Sequence, residues 1–198
     1  MKDSKSIVAL FSVLMLWSCV DRNPKISDVS NNKELEQLVV KDQEMRNNDT
    51  LVMEPIDKMH RHQVMELLAD DQVITGQDKF NAALILQHTA LTFCNEKLVS
   101  ISPENYYLAY KLSKSAFESG YKNAGNMTAA TYDRYLLYTE GYQKYGTQRI
   151  YDEKTEEEYW APIDSNTTDE ERAIYMVKPL KKLLKEYKIQ PFKKEKGN

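Results

Sequence analysis

Apolar residues return at three- and four-residue steps along three separate stretches of this 198-residue chain, and that period commits most of it to helices. Residues 33–46 carry Leu35, Leu38, Val39, Asp42 and Met45 along one face, and residues 56–68 carry Ile56, Met59, Gln63, Val64, Leu67 and Leu68. Residues 78–98, with Phe80, Ala83, Leu84, Leu91, Cys94 and Leu98 in register, are expected to form the longest helix. Ser102-Pro103 supplies an N-cap followed by proline at the first helical position, and Gly120 a stop. A further helix is expected over roughly 128–139, ended by Gly141. Thr168-Asp169-Glu170-Glu171 has the spacing of a capping box and opens a final helix pair, which Pro179 restarts. Arg149-Ile150-Tyr151 and Tyr159-Trp160-Ala161 are β-prone and flank a charged segment, so one hairpin is expected there. No repeat of 20–50 residues is visible. The expected fold is all-α, a bundle of about six helices with one small β-hairpin.

The first eighteen residues belong to a different class. Lys2 and Lys5 precede Ile7 to Trp17, an uncharged apolar run of eleven residues. A spanning helix needs about 20 such residues to cross roughly 30 Å of hydrocarbon, whereas a signal-peptide core needs about half as many. Leu16-Trp17-Ser18-Cys19 then resembles the lipobox of bacterial lipoproteins, in which the cysteine is acylated and becomes the new N-terminus. The expected organisation is a signal peptide over 1–18, a polar flexible tether over 19–32, one helical domain over 33–190 and a basic tail over 191–198. The expected location is the bacterial cell envelope, with the membrane reached through lipid on Cys19.

Only Cys19 and Cys94 are present, so lipid on Cys19 leaves Cys94 without an intramolecular partner. Cys94 is expected to pack as a small apolar core residue. The chain carries a formal charge of −3, and its last 21 residues hold eight lysines against two glutamates. The remainder is acidic, which disfavours nucleic acid as a partner. Lys178, Lys181, Lys182, Lys185 and Lys188 read as the solvated face of a helix whose Leu180, Leu183, Leu184 and Tyr187 face inward.

His88 falls on the apolar face of the expected long helix, with Gln87 beside it. Asp133-Arg134 interrupts an aromatic helix, and burying such a pair is costly unless each member finds partners. Gln143-Lys144-Tyr145-Gly146-Thr147-Gln148 follows as a loop dense in donors and acceptors. His88, Asp133, Arg134 and Gln148 are therefore expected to converge. His60 and His62 are two apart and diverge on a helix, so no metal and no cofactor are expected. Eleven of the thirteen tyrosines lie between Tyr106 and Tyr159, either packing between helices or lining a groove that stacks on sugar rings. Asp49-Thr50-Leu51 resembles a bacterial O-glycosylation acceptor.

Residues from about 35 to 188 resemble a widespread bacterial family known only as a domain of unknown function. Asp42-Gln43-x-x-Arg46, Gln87-His88, Asp133-Arg134, Gln143-x-Tyr145-Gly146-Thr147-Gln148, Pro162 and Arg172 carry the resemblance. The family usually has Gly-Trp-Pro-like residues where this chain has Val73-Ile74-Thr75-Gly76. The resemblance brings no activity, cofactor or substrate with it. Two readings follow from the residues. One is a non-catalytic envelope lipoprotein binding a protein or glycan, with Gln87, Gln143, Tyr145, Thr147 and Gln148 as binding residues. The other is a hydrolase-type enzyme with His88 as general acid or base oriented by Asp133, while Arg134 and Gln148 hold an anionic or carbonyl group. No Gly-x-Ser-x-Gly, Walker loop, dinucleotide fingerprint or HExxH is present.

The lipobox generates a direct test. Radiolabelled palmitate is expected to enter the wild-type chain, and Cys19→Ser to abolish labelling and leave unprocessed precursor. Equal labelling of the serine variant overturns the lipoprotein assignment.

Overall fold

A computed structural model describes residues 30–47, 54–94, 97–152 and 154–189. The signal peptide, Cys19, most of the tether, Asp49-Thr50-Leu51 and the basic tail lie outside the described residues. The elements run α1 (Lys33–Asn47), α2 (Glu54–Ala69), α3 (Gly76–Leu86), β1 (Leu91–Cys94), β2 (Lys97–Ser100), α4 (Pro103–Glu118) and α5 (Ala124–Glu140). They continue with β3 (Arg149–Asp152), β4 (Glu157–Trp160), α6 (Asp169–Ile174) and α7 (Leu180–Glu186). The fold is mostly helical, with two small antiparallel hairpins, β1–β2 and β3–β4.

The helix period places the first core. Leu35 and Leu38 of α1, Val64 and Leu67 of α2, Ala82, Ala83, Ile85 and Leu86 of α3, and Ala109 of α4 form one buried cluster. Asp78 ties the start of α3 to the start of α1. It closes a capping box with Thr75, and its other carboxylate oxygen accepts the backbone N–H of Asn32 at 2.8 Å. Val73-Ile74-Thr75-Gly76 therefore serves as a helix entry. Gly76 is tight against its neighbour, since a Cβ there would lie 2.8 Å from the Cβ of Tyr121.

Helices α4 and α5 are joined by a ladder of tyrosines. Tyr106 meets Tyr138, Tyr107 meets Tyr135 and Tyr110 meets Tyr132, with ring centroids 5.8, 5.0 and 4.5 Å apart. Partner numbers rise on one helix as they fall on the other, so the two helices run antiparallel. These tyrosines pack against each other between the helices, as the first of the two sequence readings has it. Helix α5 ends at Gly141, whose φ of +80° is the left-handed cap that glycine adopts without strain.

A second cluster gathers Ala129, Tyr145, Trp160, Val177 and Leu183. Trp160, at the end of β4, donates its indole N–H to the Leu183 carbonyl at 2.8 Å, fastening the hairpin to α7. This is how a two-stranded hairpin persists: it leans on helices. The expected capping box at Thr168 forms with Glu171, and Pro179 precedes α7.

Three local expectations are corrected. The helix expected over 78–98 stops at Leu86, and Leu91–Ser100 forms a hairpin with Phe93 opposite Leu98. Leu91 and Leu98 fit a helical step, yet Leu91-Thr92-Phe93 and Leu98-Val99 are as compatible with strands, and Thr89 closes the helix by donating its hydroxyl to the Leu86 carbonyl at 2.9 Å. Cys94, expected in the core, is exposed on that hairpin. Leu184, expected to face inward, is exposed, whereas Leu183 is buried.

These placements predict opposite outcomes for two apolar truncations. Leu35 is fully buried, so Leu35→Ala is expected to cost about 2–5 kcal/mol in a denaturant titration. Phe93 is 77% exposed, and Phe93→Ala is expected to stay within about 0.5 kcal/mol of wild type. A large loss from Phe93→Ala would restore the long helix and refute the hairpin.

Candidate functional site

Asp133 is fully buried, and its partners are the loop that follows its own helix. Oδ1 accepts the backbone N–H groups of Lys144 and Tyr145 at 2.8 and 2.7 Å. Oδ2 accepts those of Gly146 and Thr147 at 2.9 and 3.0 Å, and the Thr147 hydroxyl at 2.8 Å. Four consecutive peptide N–H groups can point inward because Gly146 takes a φ of +95°. Burial pushes the Asp133 carboxyl up, and the Tyr145, Thr147 and Lys144 donors pull it back. Four of the five groups around it are peptide N–H donors, which favour the carboxylate against that burial.

The same loop is clamped from two further sides. Gln143, also fully buried, donates to the carbonyls of Gln148 and Ala161 and accepts the Gln148 N–H at 2.7 Å. Its own N–H donates to the Pro162 carbonyl at 2.7 Å. Buried Arg172 donates to the Tyr145 and Thr167 carbonyls. Gln143, Tyr145 and Thr147, offered by the sequence as binding residues, are thus engaged inside the fold. Burial pushes the Tyr145 phenol well above the usual tyrosine range.

Gln148 is the residue that the loop presents outward from this lock. Its Oε1 accepts from Arg134 Nε at 3.1 Å, and Arg134 Nη1 donates to the Gln87 carbonyl at 3.1 Å. Arg134, Gln148 and Gln87 are therefore brought together, beside His88 in the chain. The expected partnership of His88 with Asp133 does not form, because Asp133 is saturated by its loop.

The His88 ring turns to α1 instead. Nδ1 lies 3.0 Å from Asp42 Oδ2 and 3.0 Å from Arg46 Nε. One nitrogen cannot donate to the first and accept from the second. A bare lone pair 3.0 Å from a carboxylate oxygen would be repulsive, whereas Arg46 Nε–H has Asp42 Oδ2 as a second acceptor at 3.4 Å. Nδ1 accepts from Arg46 in one tautomer and donates to Asp42 in the other, and in the second the Arg46 Nε–H turns to Asp42 Oδ2. Nε2 has no hydrogen-bond partner among the described residues, and the side chain is 15% exposed. Arg61 donates to the His88 carbonyl, and its guanidinium pairs with Glu54 at 2.8 Å.

Asp42 was legible as a position on the apolar face of α1 and as part of Asp42-Gln43-x-x-Arg46, but not as the partner of His88. It is fully buried, with Gln43 donating at 2.8 Å and His60 Nδ1 at 3.4 Å. Burial alone would push its carboxyl up, but the His88 hydrogen bond and charge, with Arg46, hold it well below the usual carboxylate range. The stability it contributes is present above that usual range and is lost as pH falls through the lowered value. Burial pushes Asp57 up, against the charge of Arg46, so its ionisation on rising pH works the other way. Ligand atoms of Asp42, Asp57 and His60 lie within 4.8 Å of one another, a spacing a divalent cation could use. The Arg46 guanidinium bridges the two carboxylates and supplies positive charge at that place.

The lock predicts a severe single-residue effect. Asp133→Asn replaces one acceptor oxygen by a donor facing peptide N–H groups and is expected to cost about 3–5 kcal/mol, read by thermal or denaturant melting. Loss below about 1 kcal/mol would show that the loop holds its shape without the carboxylate. Compared with family models, with curated proteins and with solved structures, the chain matches none, so the roles of these residues rest on their geometry.

Proposed function

We propose that this chain is a bacterial envelope lipoprotein, anchored through Cys19, whose helical domain carries out acid–base chemistry of the hydrolase type at His88. The observation that carries the reading is the pairing of His88 Nδ1 with buried Asp42, with Nε2 left unpartnered. In this reading Nδ1 donates to the Asp42 carboxylate, which orients the ring and leaves Nε2 as the acceptor. Asp42 is thus the positioning residue that the sequence had sought in Asp133. His88 Nε2 would take a proton from an attacking water or hydroxyl and return it to the leaving group.

Membership of the family of unknown function belongs to the same proposal. Its support is that the residues of the resemblance fall into two linked networks, Asp42-Arg46-His88 and Asp133-Arg134-Gln148, joined where Arg134 meets Gln87. The alternative of a non-catalytic domain for an envelope protein or glycan is favoured by a different observation. Asp133, Gln143, Tyr145 and Arg172 lock the loop to the bundle and need no chemistry to explain them.

Full-length protein in detergent, assayed on nitrophenyl acetate and nitrophenyl phosphate, separates the two. His88→Gln and Asp42→Asn are expected to lower kcat by about 10²- to 10⁴-fold, with folding monitored by melting temperature. Turnover unchanged in a folded His88→Gln variant removes the catalytic reading and leaves the binding domain.

A further inference from the structure

Five arginines lie among the described residues, and four of them have a carboxylate. Arg46 pairs with Asp42 and Asp57, Arg61 with Glu54, Arg149 with Glu158, and Arg172 with Asp169 at 3.4 Å. Arg134 has none. Its acceptors are neutral: Gln148 Oε1 at 3.1 Å, the Gln87 carbonyl at 3.1 Å and Gln87 Oε1 at 3.5 Å. The Tyr106 ring lies 5.8 Å from its guanidinium carbon, adding orientation without counter-charge. Glu54, whose charge acts on the same Tyr106, is held by Arg61. Nη2 of Arg134 has no partner among the described residues.

We infer that Arg134 is the anion-binding group of the His88 site, and that the molecule bound there carries a phosphate or carboxylate. This deepens the acid–base reading and rests on it for the role of that molecule as substrate. A guanidinium partly withdrawn from water without a counter-ion is costly, and one fixed by neutral amides is preorganised for a planar, two-oxygen acceptor. Its position is set relative to the chemistry, because the carbonyl it holds belongs to the peptide bond entering His88. Arg61 holds the carbonyl leaving His88. Gln148, delivered by the Asp133 lock, fixes the rotation of the guanidinium about its axis and leaves the Nη2 edge open.

The test is a titration of inorganic phosphate, and separately of acetate, into the full-length chain in detergent micelles. Ionic strength is kept constant with sodium chloride, and the His88 imidazole is followed by nitrogen-15 NMR. Saturable shifts in the millimolar range are expected with at least one anion, and the two arms decide between phosphate and carboxylate chemistry. Arg134→Gln is expected to weaken binding by about tenfold or more, while Arg149→Gln leaves it unchanged. No saturable shift in the wild type, or equal affinity in Arg134→Gln, overturns the inference. Equal weakening by Arg149→Gln also overturns it, as binding by general surface charge. Should Arg134→Gln fail to melt cooperatively, Arg134→Lys keeps the charge and loses the fork, and unchanged phosphate affinity in that variant overturns the inference. Anion binding without turnover removes the acid–base reading alone, and turnover of neutral esters without anion binding removes this inference alone.

Discussion

One buried carboxylate organises the C-terminal half of the molecule. Four consecutive peptide N–H groups and a hydroxyl converge on Asp133, and no helix or strand supplies their acceptors. Without it the loop would bury several unsatisfied donors, each costing about 1–3 kcal/mol. With it, all of these donors have an acceptor, and the other clamps act on a loop of one shape. Gln143 can reach the end of β4, and Arg172 can reach the Tyr145 carbonyl, because the loop has one shape. Gln148 emerges from that shape at a fixed place, and so does its contact with Arg134.

Part of this was legible in the sequence, for a physical reason. Asp133-Arg134 interrupts an aromatic helix, and the cost of burying it predicted partners rich in donors and acceptors. The loop beginning two residues after Gly141 was the nearest source, and it supplies them. Helix starts were equally legible where a capping box marks one, at Thr168, or a proline marks one, at Pro179. What the period could not decide was residues 87–98. Leu91, Cys94 and Leu98 satisfy a helical step, but the same residues allow a hairpin, and only the competition of tertiary contacts chooses. The partner of His88 was hidden differently. Asp42 occupies a core position of α1, where its spacing reads as part of the apolar stripe, and nothing local distinguishes a charge meant for the interior from one meant for water. Besides neighbouring Gln43, its partners Arg46, His60 and His88 come from three segments.

The electrostatics of this region are those of a site in which charge is held in reserve. Asp42 is kept ionised despite complete burial, because His88 and Arg46 lie against it. Asp57, with Arg46 as its only charged hydrogen-bond partner among the described residues, is pushed the other way. Two carboxylates sharing one guanidinium thus differ in proton affinity, and the one more firmly ionised is the one bound to the histidine. That arrangement keeps a buried carboxylate against Nδ1 of the ring.

The end of α3 connects the two networks and explains why the chain turns where it does. A helix leaves its last carbonyls without intrahelical donors. Had α3 continued to Leu98, the Gln87 and His88 carbonyls would have accepted from residues one turn further on, and neither arginine could have used them. Stopping at Leu86, with Thr89 closing the turn, frees both carbonyls, which Arg134 and Arg61 then take up from either side. The break in the helical pattern is therefore what fixes His88 between two guanidinium groups, with its ring directed to Asp42. Tyr106, donating to the Thr89 carbonyl at 2.7 Å, anchors the exit of that turn to α4. A segment whose spacing reads as one long helix is, in packing terms, the joint that holds the histidine in place.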